Sequence, residues 1–409
     1  MIEGKVRIVV ITQYYHPESM RVTDLCETLA QRGFDVVVVT GIPNYPQGKF
    51  FPGYNWFRKR QEVVNNVRII RLPIIPRGHN FFLLSLNYIS FVISGWFFTH
   101  FTHLEADIVI NYEISPITQC LLGIWFGKRR KIPVVSYILD LWPESFKEIT
   151  KIESKLIEGF LNKIVDKVYN NSDLILTSSR SYIQSISKRG IDKDKIKFWP
   201  QYAEDFYFLK DGPKERLLPN DGRLFITFTG NIGVAQGLDL LVPVSTELKS
   251  RGIPICFVLI GDGREKARLQ ELAIHEDLTD YFLFVEKQPA ERIPEYLASS
   301  DASLLILKKS IIFSMTLPAK LQTYMACGLP IIASVDGEAK ELVMQTKTGY
   351  VAATEDVPGL VNIITAFKNL SPDERKAMGL SGNAYAKRYF EKDRLMHELE
   401  DSMQKLIGE

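Results

Sequence analysis

The sequence predicts an α/β protein made of two Rossmann-like, doubly wound domains followed by a helical tail. Three observations lead there. The first forty residues run strand, helix, strand: the apolar stretch Val6–Thr12, a helical pattern from about Arg21 to Arg32 stopped by Gly33, and the stretch Asp35–Thr40. Such a β-α-β opening implies parallel strands. The same alternation then recurs along most of the chain. Finally, 409 residues is the length of two domains of about 200 residues each.

In order, further strands are expected near Val67–Arg71, Asp107–Asn111, Pro133–Ile138, Leu174–Thr177 and Ile196–Trp199, completing a first domain over 1–200. Residues 201–222 are polar, carry Pro213 and Pro219, and look like a linker. A second domain over 223–381 alternates again, with strands at 223–229, 255–260, 281–285, 302–306, 330–334 and 349–352. The tail, 382–409, has a helical pattern and no strand.

Composition narrows the class. With 46% hydrophobic and 24% charged residues, the chain is that of an ordinary soluble globular protein. A net charge of +2 and the lack of long like-charge runs argue against a nucleic-acid partner. The cysteines at 26, 120, 256 and 327 have no CxxC spacing, so reduced thiols are expected, with neither a disulfide frame nor a zinc site. Strand-like sequence from Val6 leaves no room for a signal peptide.

One segment does not look soluble. Gly78–Leu104 contains no Asp, Glu, Lys or Arg and is as long as a membrane span. Its flanking strands should share one sheet, which argues against crossing a bilayer. Asn87, Ser90 and Ser94 fall on one helical stripe. A half-buried core helix and a helix lying in the membrane interface both fit, the latter with Arg68, Arg71 and Arg77 facing anionic headgroups.

Two stretches in the second half suit phosphate chemistry. In Phe225–Gly237, FITFTGNIGVAQG, an apolar strand ends in a loop with glycines at 230, 233 and 237, and a helical pattern follows. Strand, glycine loop and helix put bare N–H groups at a positive helix end. The spacing is neither GxGxxG nor a P-loop, and the same turn serves plain packing elsewhere. In LPAKLQTYMACGLPIIAS, Pro318 suits a helix start, and Lys320 and Thr323 share one face near it. They suit phosphate and ribose oxygens, or serve as a solvated lysine and a capping threonine.

In the first half, Asp140 and Glu144 follow an apolar strand, and His16 and Arg21 follow the first strand. Ligands bind at the carboxyl ends of such strands. Asp140 suits a general base or a helix N-cap. Tyr45 lies in the long Pro- and aromatic-rich loop 41–56, where it stacks on a sugar or packs the loop. Asp192-Lys193-Asp194 has the form of a metal-binding DxD but sits in a charged turn. His100 and His103 have no carboxylate or cysteine nearby, so no metal site is expected.

The combination of GNIGVAQGLD, IGDG at 260–263, SSDASLLIL and PAKLQTYMACGLPII resembles the GT-B glycosyltransferases of family 4. More narrowly, TQYYHPESMRVTDL, GIPNYPQGKFFPGY, LNYISF and DLWPES are similar to the N-acetyl-L-fucosamine transferases of bacterial O-antigen and capsule assembly. The resemblance implies two domains facing a cleft and a retaining transfer without metal or other cofactor. The UDP-sugar donor would be held by Gly230, Asn231, Gly233, Gln236, Gly261, Val285, Lys320 and Thr323. A lipid-linked sugar acceptor would meet His16, Arg21, Tyr45 and Glu144, with Asp140 catalytic, on the cytoplasmic face of the bacterial inner membrane through residues 78–104. The chain departs from the family at its basic pair, replaced by Asn231 and Gln236, and at its glutamate pair, replaced by Met315 and Thr323. Lys320 thereby becomes the leading diphosphate cation. A UDP-sugar 2-epimerase of the same fold and an inactive sugar-nucleotide binder are the alternatives.

Overall fold

The computed structural model describes residues 5–78, 80–208 and 216–408. It contains two compact units, Met1–Trp199 with Met396–Glu409, and Pro200–Leu395.

The first unit is an eight-stranded sheet of β1 (Arg7–Ile11), β2 (Asp35–Gly41), β3 (Gln61–Val64), β4 (Val67–Leu72), β5 (Ile108–Glu113), β6 (Val134–Ile138), β7 (Leu174–Thr177) and β8 (Ile196–Phe198). Their spatial order is β3-β4-β2-β1-β5-β6-β7-β8. All pairs are parallel except β3 with β4. Strands β5, β6 and β7 are buried along their whole length, as expected of the predominantly apolar strands of a parallel sheet with both faces covered. The second unit has β9 (Leu224–Thr229), β10 (Ile255–Ile260), β11 (Phe282–Val285), β12 (Ala302–Ile306), β13 (Ile331–Ser334) and β14 (Gly349–Ala352), in the order β11-β10-β9-β12-β13-β14. Each sheet reverses direction beside its first strand, between β1 and β5 and between β9 and β12. Crevices at the carboxyl ends of strands open at such points.

Three expectations are corrected. Strand β3 was not foreseen; it forms a hairpin with β4 through Asn65 and Asn66, both left-handed at φ 48 and 65, the backbone that tight hairpin turns need. The tail does not begin at 382. A helix runs Pro372–Tyr389, started by a capping box in which Ser371 and Glu374 bond each other's backbone N–H. A second helix follows at Lys392–Gly408, and residues 396–409 belong to the first unit. The candidate linker falls partly on 209–215, outside the described residues. Its remaining residues count with the second unit, where Ala203 N–H donates to the Phe390 carbonyl at 2.9 Å.

The apolar segment forms the helix Phe81–Phe101, capped by Asn80, whose side chain accepts from Leu83 N–H. It is long and apolar enough to cross a membrane. However, β4 before it and β5 after it lie in one sheet, so they cannot be placed on opposite sides of a bilayer. Its polar stripe faces inward. Asn87 donates to the Ile75 carbonyl at 2.6 Å, Ser90 Oγ accepts from Ile75 N–H at 2.9 Å, and Ser94 donates to the Pro73 carbonyl. Asn87, Phe91, Gly95 and Thr99 are its buried residues, while Phe82, Ile93, Phe97 and Phe101 are exposed. The helix is therefore half-buried: Phe91 belongs to the hydrophobic core, while an apolar face that includes Phe82, Ile93, Phe97 and Phe101 stays outward. Of the three arginines, Arg71 is fully buried and paired with Glu62 at 2.6 Å, which removes it as a headgroup ligand.

Gly95 sets how closely this helix approaches the next one, Cys120–Arg130: a Cβ there would stand 2.2 Å from Leu122. Gly95→Val should destabilise the protein by about 1–3 kcal/mol, as overpacking does. Exposed Ile93→Ser on the same helix should change it by no more than about 0.5 kcal/mol. Urea denaturation midpoints of the two variants check this; equal midpoints would show that the contact is unimportant.

Candidate functional site

In the second unit the glycine loop leaves β9 and meets two others. Gly230 N–H donates to the Ile260 carbonyl at 2.9 Å, and Gly261 N–H donates to the Val285 carbonyl at 3.1 Å. Gly261 has φ +149, and a Cβ on it would lie 1.9 Å from the Gly230 carbonyl oxygen, so both loops need bare backbone here. Val285 thus contributes its carbonyl to hold Gly261. Asn231 lies against Gly233, and Gly233 N–H donates to Gln236 Oε1 at 3.2 Å. The helix expected directly after the loop starts later, at Leu241. Gly237, left-handed at φ +59, separates two short 3-10 turns that come first.

The helix end that does reach the loop belongs to Ala319–Ala326. A Cβ on Gly230 would come 2.9 Å from Lys320 Cε and 3.4 Å from Nζ, and the ammonium sits 4.0 Å from the Phe228 ring centroid. Among the described residues it has no carboxylate partner. Burial pulls its pKa down to about 7. A desolvated, uncompensated cation beside a glycine loop is arranged to receive an anion. Thr323 does not join it: its hydroxyl donates to the Ala319 carbonyl at 3.3 Å, within its own helix. Tyr324 is buried and pins the helix to β9 by accepting from Thr229 N–H at 3.0 Å. Lys308, at the end of β12, was not singled out from sequence. It borders a cavity of about 260 Å³ together with Gly237, Asp239 and Glu355.

In the first unit Asp140 lies just beyond β6 and is not an N-cap. The next helix, Glu144–Thr150, starts after Pro143 with no side-chain cap. Asp140 Oδ2 instead accepts from the Ser115 hydroxyl at 2.7 Å, and Ser115 Oγ accepts from Trp142 Nε1 at 3.0 Å. A second carboxylate stands beside it. Glu113, at the end of β5, is fully buried and accepts from the N–H groups of Ser115 (3.0 Å), Leu139 (3.3 Å) and Asp140 (3.0 Å). Burial raises the pKa of both, and the Asp140 charge raises Glu113 further. Glu113 was legible by the same reasoning as Asp140, an acid ending an apolar strand, but was passed over. Glu144 has one buried carboxylate oxygen without a hydrogen bond among the described residues.

A third buried acid organises the aromatic loop. Glu18 accepts from Tyr15, Asn44 and Tyr45 N–H groups at 3.0, 2.7 and 2.7 Å, and burial still pushes it up to about 7. It fixes Tyr45 beside Tyr14, their ring centroids 5.4 Å apart, with the Arg77 guanidinium 4.8 Å from the Tyr45 ring. His16 is tied in by its carbonyl, which accepts from Arg71 at 2.7 Å. Arg21 opens its helix near Tyr137, whose pKa burial raises well above the usual tyrosine range while Arg21 opposes the shift. Tyr88 connects this group to Asp140: burial raises its pKa, Arg77 opposes that and Asp140 adds to it.

Among the described residues no group of three or more His, Cys, Asp or Glu could hold a metal ion. Asp192 of the DxD-like triplet caps a turn by accepting from Asp194 N–H at 3.0 Å. His100 lies stacked on Trp96 with 4.5 Å between centroids.

Glu113→Gln puts an amide NH₂ where backbone donors converge and removes a negative charge. It should cost about 1–3 kcal/mol and loosen the 113–115 and 139–140 turns. Calorimetry together with amide exchange at Asp140 checks it; unchanged stability would mean the carboxylate is dispensable.

Comparison with known proteins follows the same division. Residues 19–201 match the family described as Glycosyltransferase Family 4, and residues 211–385 match the family described as Glycosyl transferases group 1. The chain is 26% identical over 320 residues to the putative colanic acid biosynthesis glycosyl transferase WcaI of Escherichia coli (strain K12), covering 75% of this chain and 76% of that one. In fold it is similar to sucrose-phosphate synthase from Thermosynechococcus elongatus, with TM-score 0.77, 16% identity, 99% of this chain and 100% of that one. It is also similar to HepE of Anabaena in complex with UDP, with TM-score 0.68, 12% identity, 98% of this chain and 100% of that one. With both halves matched and both sheets wound in this manner, the chain is a GT-B glycosyltransferase, with a family 4 N-terminal domain and a group 1 C-terminal domain.

Proposed function

We propose that the protein transfers an N-acetylated 6-deoxyhexosamine, N-acetyl-L-fucosamine, from UDP to a sugar on undecaprenyl diphosphate during surface polysaccharide assembly. The relationship to a colanic acid transferase supports the polysaccharide setting, and the UDP complex of HepE supports the nucleotide. The observation that carries the reading is Lys320, a desolvated cation without a carboxylate partner among the described residues, set against Gly230 of the glycine loop. It and the Gly230 and Gly261 loops would stabilise charge on the departing diphosphate. Asp140, oriented by Ser115, would take the proton from the acceptor hydroxyl. The reaction is retaining and needs no metal on this reading. The exposed apolar side of Phe81–Phe101 would rest on the inner face of the cytoplasmic membrane.

The test is UDP release from UDP-N-acetyl-L-fucosamine with and without a lipid-diphosphate-linked sugar. Acceptor-dependent release supports the reading. Acceptor-independent formation of an epimer would replace it with a 2-epimerase, and no turnover with any UDP-sugar would replace it with a binding protein.

Lys320→Ala should weaken UDP-sugar binding by roughly ten- to more than a hundredfold, since a hydrogen bond to a charged group is worth about 1.5–3 kcal/mol. The wild-type affinity for UDP should also fall as pH rises above about 7. The lysine is cationic below that value and neutral above it, so binding takes up a proton. Calorimetry at several pH values checks both; a flat profile, or an unaffected alanine variant, would remove Lys320 from the donor site.

Asp140→Asn keeps the acceptor for the Ser115 hydroxyl but cannot take a proton. Turnover should drop by about 10²–10⁴-fold while UDP affinity and melting temperature stay close to wild type. Near-normal turnover would leave Asp140 without a catalytic role.

A further inference from the structure

The apolar outer side of the helix Phe81–Phe101 is not isolated. Across from it, the helix Lys155–Asn170 exposes Leu156 at 88% and Phe160 at 64%. Between the two helices lies a groove of about 320 Å³, with Leu84 and Val92 on one wall and Leu161 and Ile164 on the other. That volume falls within the range of small-molecule sites, about 300–1,000 Å³. Among the described residues, no Asp, Glu, Lys or Arg lines it. Its occupant is therefore an uncharged hydrocarbon over the length of the groove.

One end is different. Ser115 and Trp142 line the groove there, and they are the residues that orient Asp140. Tyr88, also in the lining, is close enough to Arg77 and Asp140 for both to act on its ionisation. One group near Tyr88 lacks a counter-ion. The Arg77 guanidinium lies against the Tyr45 and Tyr14 rings, 4.8 and 5.9 Å from their centroids, with no carboxylate partner among the described residues. A cation without a counter-ion calls for an anion. An apolar groove bordered by exposed apolar helix faces, with a cation and a positioned carboxylate near Tyr88, Ser115 and Trp142 of its lining, calls for one amphiphile.

We infer that this groove holds the polyisoprenyl chain of the lipid-linked acceptor, with Arg77 on its phosphate. The inference rests on the proposed lipid acceptor and adds where the chain lies. Hydrocarbon removed from water contributes roughly 25 cal/mol per Å², so the groove makes chain length part of acceptor recognition. It also orients the sugar beyond the phosphate toward Asp140. Acyl chains of the bilayer are the competing occupant.

Titration calorimetry with UDP saturating, so that the Lys320 site is filled, tests this directly. Farnesyl diphosphate should bind wild-type protein at least tenfold more tightly than inorganic diphosphate. Ser85→Phe, which fills the groove from the Phe81–Phe101 helix, should abolish that preference. Ile89→Ser, at an exposed lining position, should reduce it with an unchanged melting temperature, which covers the case in which Ser85→Phe misfolds. Arg77→Gln should weaken both ligands. Neither groove variant should alter UDP affinity, and Ser85→Phe should leave sedimentation with phosphatidylglycerol vesicles intact. Equal affinities for the two diphosphates in wild type would overturn the inference. So would groove variants that lose vesicle binding yet keep farnesyl diphosphate, since the groove would then hold bilayer lipid. Because these readouts need no turnover, failure of the transferase assay would count against the proposed function and leave the groove assignment standing.

Discussion

Asn87 accepts from Gln13 Nε2 at 2.6 Å and donates to the Ile75 carbonyl at 2.6 Å, from a position fully buried beneath an otherwise apolar helix. This amide fixes which side of Phe81–Phe101 faces the protein. With Ser90 and Ser94 it satisfies backbone groups of the 73–75 segment that would otherwise be buried unpaired. The apolar side is left outward as a consequence. Gln13 lies just past β1, and its own N–H donates to Gln119 at 2.7 Å, so the same network ties the helix to the sheet's switch point. The groove, the outward apolar face and the placement of Tyr88 all depend on it.

Around that network the first unit stores three buried acids, Glu18, Glu113 and Asp140. Burial raises each pKa, and each is held mainly by backbone N–H groups or a hydroxyl instead of a salt bridge. Such groups gain little as ion pairs but fix loop geometry, because several directional bonds converge on one carboxylate. Glu18 shapes the turn that carries Tyr45, and Glu113 shapes the turns that carry Ser115 and Asp140. The second unit inverts the pattern. There a cation, Lys320, is buried without a carboxylate partner among the described residues, beside Gly230 and the Phe228 ring.

The strand runs, the parallel sheets and the glycine loop were legible in the sequence, and so were Lys320 and Asp140 as candidates beside plainer readings of each. Uninterrupted apolar runs and glycine punctuation are local signals, and parallel sheets buried on both faces produce them strongly. The Ser371–Glu374 capping box was equally local and would have placed the tail helix ten residues earlier. The Asn65-Asn66 hairpin carried a turn signal too, but β3 is a short edge strand with little apolar content to announce it.

What only the tertiary structure decided is which side of each element faces which neighbour. Arg71, Thr323 and Asn87 are polar residues at helical or strand spacing, and sequence cannot say whether such a residue meets water, a ligand or a buried carbonyl. Arg71 meets Glu62, Thr323 its own helix, and Asn87 a loop carbonyl and Gln13. Glu113 and Asp140 are 27 residues apart in sequence and become neighbours only because β5 and β6 pair. Gly95 sets a helix approach that no local pattern records. Periodicity follows from the backbone's own geometry and is written in the chain; orientation follows from contacts between distant segments, and those exist only once the sheets have formed.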